Sequence, residues 1–349
     1  MKAVCFRGVE DVAVETVPDP DIGAPGDAIV EVATAGLCGS DLHPYFGREA
    51  GLDPGTVMGH EFVGKVVEVG EDVASFAPGD RVCAPFSTSC GVCFFCVRGL
   101  TSRCGHGQLF GWRSDGQGLH GGQAQYVRVP LAEGTLVAVP DGLTDDTALL
   151  LGDNLSTGYF CARLAGVGPD GVYAVIGCGT VGLLAICWAR RLGAERVIAI
   201  DLVAARRNRA AALGARACAD EAEFEAAIGA ATEGRGADAV MELVGLPAAQ
   251  RLAYQTVRAG GTLAVVGCHA APGFAFSPAE AYDKNLVYRT GRCPARHLMP
   301  ELLEELAREP MDLGWCTTHR FALDEGIRAY EVFAGRQDGC LKAVFDVVI

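Results

Sequence analysis

One short segment restricts the fold of this chain more than any other. Gly177-Cys178-Gly179-Thr180-Val181-Gly182 is a G-x-G-x-x-G loop. It follows the apolar run Val172-Tyr-Ala-Val-Ile176 and opens a helical pattern over 181–192. A second apolar run, Arg196-Val-Ile-Ala-Ile200, ends at Asp201. Strand, glycine loop, helix, strand and acid in that order point to a dinucleotide-binding unit. The glycines allow a tight turn and let backbone N–H groups approach a pyrophosphate at the helix N-terminus. Asp201 can accept from a ribose 2′-hydroxyl and would repel a 2′-phosphate, which favours NAD over NADP. Arg206 is expected to pack on the adenosine side. The same alternation continues as helix 204–213, strand 237–242, helix 248–257 and strand 261–266. Apolar strands alternating with helices mean a parallel sheet covered on both faces.

The first third of the chain has a different character. Short Val/Ile-rich runs such as 28–33 and 62–69 lie between Gly, Pro and Asp turns, the pattern of a barrel-like β domain. After about residue 289 the chain turns α+β, with helices expected at 300–308 and 324–334 and a closing strand at 342–348. That tail is expected to return to the first domain. The expected boundaries are 1–154, 155–289 and 290–349.

Two groups of metal-ligating residues lie in the β part. Cys90, Cys93, Cys96 and Cys104 follow C-x2-C-x2-C-x7-C. Four thiolates wrap one zinc tetrahedrally, and a site with no open position is structural. Upstream lie Cys38-Gly-Ser40-Asp41-Leu-His43 and Gly59-His60-Glu61. Cys38 and His60 are the best ligand candidates for a second, catalytic zinc. The stretch from Leu151 to Gly158 is the expected source of a third ligand, and Asp153 supplies an oxygen. Glu61 is either a fourth, exchangeable ligand or a neighbour that stays outside the coordination shell. Zinc lowers the pKa of a bound alcohol, so a nicotinamide beside it points to hydride transfer. Ser40 can hydrogen-bond the alcohol oxygen, His43 can pass the proton outward, and Asp41 can orient His60.

Composition narrows the rest. A chain of 349 residues suggests about two domains. A formal charge of −14 argues against nucleic acid or an anionic membrane as partner. The N-terminus reads as a strand rather than a signal peptide, and no run of about 20 apolar residues is present to span a bilayer. Fifteen cysteines, an odd number, fit a reducing cytoplasm.

These segments together resemble the zinc-dependent alcohol dehydrogenases of the medium-chain dehydrogenase/reductase family over nearly the whole length. Gly59-His60-Glu61-Phe-Val-Gly64 with Gly70 and Val73 matches the family signature, and Gly121-Gly-Gln-Ala-Gln-Tyr-Val resembles the strand entering the end of the barrel domain. The resemblance implies a GroES-like β domain built from both chain ends around an inserted Rossmann domain. It also implies two zincs per subunit, one catalytic and one structural, and homodimers or homotetramers. Many members use cysteine as the third ligand; here the position falls on Asp153, as in secondary-alcohol and formaldehyde-dehydrogenase-like branches. Gly107-Gln-Leu-Phe-Gly-Trp112 looks most like the latter, but the long insertion of glutathione-independent formaldehyde dehydrogenases is missing. The resemblance places Phe86 and Trp112 at the substrate pocket and Val244 near the nicotinamide.

The expected activity is hydride transfer between NAD and a small primary or secondary alcohol, or the corresponding aldehyde or ketone. A polyol or amino-alcohol dehydrogenase of the sorbitol or threonine type is the near alternative. A zinc-free quinone or enoyl reductase would lack the ligand residues. An NAD-binding redox sensor would need neither Ser40 nor His43.

Overall fold

The computed structural model describes residues 1–270 and 273–347. The chain divides into two compact units, one made of Met1–Ser156 with Pro294–Ile349, the other of Thr157–Cys293. The sequence boundaries at 154 and 289 fall slightly N-terminal to these.

In the first unit the long strand Ala28–Leu37 is the hub. It pairs antiparallel with Phe62–Val69, with Tyr126–Val129 and with Ala343–Asp346. Arg81–Cys83 and Val137–Ala138 extend the sheet on one side and His319–Ala322 on the other. The C-terminal strand thus returns to the N-terminal sheet. Period-two patterning explains the pairing: Val30, Val32, Phe62, Val66, Val82 and Phe345 share one buried core. The closing strand covers Ala343–Asp346, shorter at both ends than the expected 342–348, since Lys342 and Val347 lie outside it; Val348 is outside the described residues.

The second unit holds a six-stranded, wholly parallel sheet. Its spatial order is Arg216–Cys218, Arg196–Ile200, Val172–Ile176, Ala237–Glu242, Val257–Val265 and Val287–Thr290. Numbered along the chain, that is the order of a dinucleotide-binding sheet, with the reversal beside Val172–Ile176. All five residues of that strand are buried, as expected for a strand covered on both faces.

Several elements differ from the sequence reading. The helix expected to begin at residue 300 begins at Ala295 and runs to Arg308 with Pro300 inside it. Proline lacks an N–H and crowds the carbonyl four residues back. The buried stripe Ala295, Met299, Leu302 and Leu306 nevertheless holds the first turns in place. The helix Glu221–Thr232, preceded by the strand Arg216–Cys218, was not anticipated. Its start is marked by Asp220, whose side chain accepts the Glu223 N–H at 2.8 Å, and it buries Phe224, Ala227 and Ile228. The helix Asp145–Gly152 was also missed. Thr144 caps it by accepting the Thr147 N–H. No helix among the described residues is long and apolar enough to cross a membrane.

Candidate metal centre and nucleotide loop

Cys38 follows the hub strand and begins the short turn Gly39–Asp41. Asp41 Oδ2 accepts the Cys38 N–H at 2.9 Å, which closes that turn. His60 leads into Phe62–Val69, and Gly59 before it has φ +89°. A side chain at Gly59 would meet Gln123, so only glycine allows that approach. Asp153 ends the helix Asp145–Gly152, and Asn154 begins the next one, Asn154–Ala165. Asp153 therefore sits at the junction of two helices.

Cys38, His60, Glu61 and Asp153 each offer one ligand atom, and these lie within 4.8 Å of one another. Cys38 Sγ is 3.3 Å from Asp153 Oδ2, and His60 Nε2 is 3.6 Å from the same oxygen. Ligands of one tetrahedral zinc, bound at about 2.0–2.3 Å, stand roughly 3.3–3.6 Å apart. The donor set therefore fits zinc in both chemistry and spacing. His60 Nδ1 faces Asp41 Oδ1 at 3.1 Å. That contact keeps a proton on Nδ1, so Nε2 is the nitrogen that would ligate a metal in the cluster.

The electrostatics tie these groups to one another. Burial pushes the Cys38 thiol up, and Asp153 and Glu61 add to the shift. Burial opposes ionisation of Asp153, but the His60 hydrogen bond and charge hold its carboxyl well below the usual range. Burial disfavours charged His60, yet the Asp41 charge and hydrogen bonds to Asp153, Asp41 and Cys38 raise its pKa well above the ordinary value. Burial lifts Glu61 to about 6, with Lys342 lowering it and Asp153 raising it.

Two neighbours of this cluster were not anticipated. Lys342, almost wholly buried, forms an ion pair with Glu61 Oε2. Asn154 Nδ2 donates to Glu61 Oε1 at 2.8 Å and Asp153 Oδ2 at 3.0 Å. Asn154 Oδ1 is buried and has no hydrogen-bond partner among the described residues. Gly36 leaves the space Glu61 needs, because a Cβ there would overlap its carboxylate.

Ser40 Oγ lies 3.2 Å from His60 Nε2, at the edge of the cluster. His43 is half-buried, and its Nδ1 has no hydrogen-bond partner among the described residues. Burial lowers its pKa, Glu49 raises it and Arg48 lowers it further. Phe86 is buried, and Trp112 packs against the first unit's core from the strand Trp112–Ser114.

Cys90, Cys93, Cys96 and Cys104 form the second group, again with donor atoms within 4.8 Å. None of the four is joined to another by a disulfide. Cys93 Sγ and Cys104 Sγ stand 3.9 Å apart, far beyond a disulfide. Sulfurs on one tetrahedral zinc at about 2.3 Å lie roughly 3.8 Å apart. Backbone N–H groups of Cys90, Cys93 and His106 point at sulfurs of the group, which stabilises thiolates. Amides of Cys96 and Gly105 draw the Cys93 thiol down to about 6, while burial lifts Cys96 to about 12. Four thiols this close cannot all ionise without a cation.

In the second unit Gly177 has φ +92°, and a side chain on it would strike Val244. A Cβ on Gly182 would lie 1.9 Å from the Gly177 carbonyl oxygen. Gly179 caps the helix Thr180–Arg191, with Val181 in its first turn. Asp201 Oδ2 accepts the Cys178 N–H and Oδ1 the Val203 N–H, each at 2.8 Å. The acid therefore also braces the loop, and each oxygen keeps a lone pair. The Arg206 guanidinium comes to 3.9 Å from Asp201 Oδ2.

Comparison with known proteins agrees with this geometry. Residues 24–141 match the alcohol dehydrogenase GroES-like domain, and residues 180–308 match the zinc-binding dehydrogenase family. The zinc-type alcohol dehydrogenase B of Aspergillus flavus is 40% identical over 95% of this chain and 78% of its own length. A zinc-type alcohol dehydrogenase-like protein, AdhB, of Bacillus subtilis is 34% identical over 99% of both chains. The solved alcohol dehydrogenase TADH from Thermus sp. ATN1 superposes with a TM-score of 0.93 at 38% identity, covering both chains fully. The chain belongs to the zinc-dependent alcohol dehydrogenases of the medium-chain dehydrogenase/reductase family.

Proposed function

We propose that this alcohol/carbonyl oxidoreductase uses NAD and oxidises a small primary or secondary alcohol at the Cys38–His60–Glu61–Asp153 cluster. The observation carrying the reading is the convergence of those four donors within 4.8 Å in a buried place. In the net reaction an alcohol and NAD give a carbonyl compound, NADH and a proton. Zinc held by Cys38, His60 and Asp153 supplies Lewis acidity that makes the alcohol hydroxyl acidic. Glu61, tied to Lys342 and Asn154, is either a fourth, exchangeable ligand or a neighbour outside that shell.

Ser40 Oγ is placed to hydrogen-bond the substrate hydroxyl. His43 takes the proton onward, and burial favours the neutral form that this needs. Asp41 holds the His60 ring in its ligating tautomer. The amides of the Gly177–Gly182 turn receive the pyrophosphate. Asp201 receives the ribose hydroxyls and disfavours a 2′-phosphate, and Val244, which lies beside Gly177, faces the nicotinamide on the family resemblance. Cys90, Cys93, Cys96 and Cys104 hold a second, structural zinc. We place the protein in the cytoplasm because fifteen cysteines, an odd number scattered along the chain, fit a reducing compartment. Assembly as a homodimer or homotetramer follows from the family resemblance, and light scattering tests it.

The activity test follows NADH absorbance with a panel of alcohols, with NAD and NADP in parallel, before and after chelation. The reading expects turnover with NAD that chelation abolishes and zinc restores. Tight NAD binding by a zinc-loaded protein with no turnover of any alcohol or carbonyl would instead favour a nucleotide-sensing role.

A further inference from the structure

Asp41 is nearly wholly buried, and a carboxylate in that position needs several donors. Two are local, the Cys38 N–H and His60 Nδ1–H. The third comes from far along the chain. Gln123 is fully buried, and its Nε2 lies 3.5 Å from Asp41 Oδ2 and 3.0 Å from the Gly36 carbonyl. On its other side, Tyr330 Oη lies 3.0 Å from Gln123 Oε1. Tyr330 is fully buried and comes from the helix Gly326–Ala334 in the C-terminal segment.

The direction of this chain of bonds is fixed. The Gly36 carbonyl can only accept, so the amide NH2 of Gln123 must face it and Asp41. Gln123 Oε1 then faces Tyr330, whose hydroxyl must donate. Asp41 is left with its acceptor atoms oriented, one toward His60 Nδ1–H. Gly59 permits the arrangement, since a Cβ there would lie 2.4 Å from Gln123 Cγ.

We propose that Gln123 and Tyr330 are positioning residues for the reactive metal, acting through Asp41 on the orientation and tautomer of His60. This rests on the reading of His60 as a metal ligand. It gives the C-terminal segment a role in a site whose ligands all lie before residue 157. It also gives the Gly121–Tyr126 motif a chemical purpose beyond strand entry.

The test uses the full-length zinc-loaded protein and the variants Gln123→Met and Tyr330→Phe. Tyr330→Phe keeps the ring and its packing and removes only the hydroxyl. Partners one step outside a metal's ligands typically change affinity by about 10–100-fold. Gln123→Met is expected to speed chelator-driven release of the reactive zinc by about tenfold, and Tyr330→Phe, one link further out, by severalfold. Release from the four-cysteine site should be unchanged. In nitrogen-15 histidine spectra, the His60 Nδ1–H should exchange with water faster in both variants. A merely structural role would shift neither the ring proton nor one metal selectively. Unchanged release and exchange in Tyr330→Phe, with the hydroxyl gone, would overturn the proposal. If Gln123→Met fails to load metal, Tyr330→Phe decides. Loss of one zinc from His60→Ala in the same series checks the underlying reading. If that zinc stays, the ligand assignment fails, whereas normal release in the two variants alone removes only the positioning role.

Discussion

Replacing Lys342 with methionine isolates the electrostatic problem at the reactive cluster. The substitution keeps most of the aliphatic stem and deletes the charge. Glu61 then keeps Asn154 and the nearby His60 ring but loses its lysine, with Asp153 and Cys38 alongside. Removing one partner of a buried ion pair costs about 3–5 kcal/mol. For a unit of this size, about 2–4 °C of Tm is lost per kcal/mol, so the metal-free protein should melt roughly 6–20 °C lower. The loss should depend on pH in a definite direction. Burial already lifts Glu61 to about 6 against the pull of Lys342. Without Lys342 it rises further, and a carboxyl whose folded pKa exceeds its unfolded one loses stability as pH rises through the folded value. The Tm deficit should therefore be larger at about pH 8 than at about pH 5. Zinc should shrink it, because the dication then balances the acidic groups. The assay is thermal unfolding of wild type and Lys342→Met at both pH values, metal-free and zinc-loaded. A deficit equal in all four conditions, or none, would refute this account of the cluster.

Other consequences can be measured separately. Cys93→Ser should lower stability and remove one zinc while the cluster around Cys38 keeps its own, as read by metal content and Tm. Gly182→Ala places a Cβ 1.9 Å from the Gly177 carbonyl oxygen, so titration should show NAD binding weakened by at least about tenfold, a cost of about 1.4 kcal/mol or more. Asp201→Gly should erode the preference for NAD over NADP; an unchanged preference would remove its ribose role. His43→Asn should lower alcohol oxidation and erase an acid limb lying below the ordinary histidine range, because burial lowers that pKa and the neutral form is the proton acceptor. The pH–rate profile of kcat reads it.

The parts of the site legible in the sequence are those carried by local spacing. The four cysteines sit within one short lobe, and the glycine loop sits between an apolar strand and its helix, so a few neighbouring residues identify each. Cys38, His60 and Asp153 are distant in sequence, but each lies in a loop with a distinctive local pattern. Lys342, which pairs with Glu61, and Gln123 and Tyr330, which lie behind Asp41, had no such local pattern. Lys342 is 281 residues from Glu61, and Tyr330 is 207 from Gln123, so only the folded sheet brings them together. A signal did exist, since Lys342 is a lone charge in the otherwise apolar run Leu341–Phe345. Pro300 misplaced a helix start because local propensity yielded to the burial of Met299 and Leu302.

The claim on which the rest depends is that Cys38, His60 and Asp153 grip one metal ion while four cysteines grip another. Zinc content after exhaustive dialysis of wild type, Cys38→Ala and Cys93→Ala tests it directly. The account expects two equivalents in the wild type and one in each variant, with turnover lost in Cys38→Ala. A Cys38→Ala protein that retains two equivalents, or keeps oxidising alcohol at the wild-type rate, would contradict it.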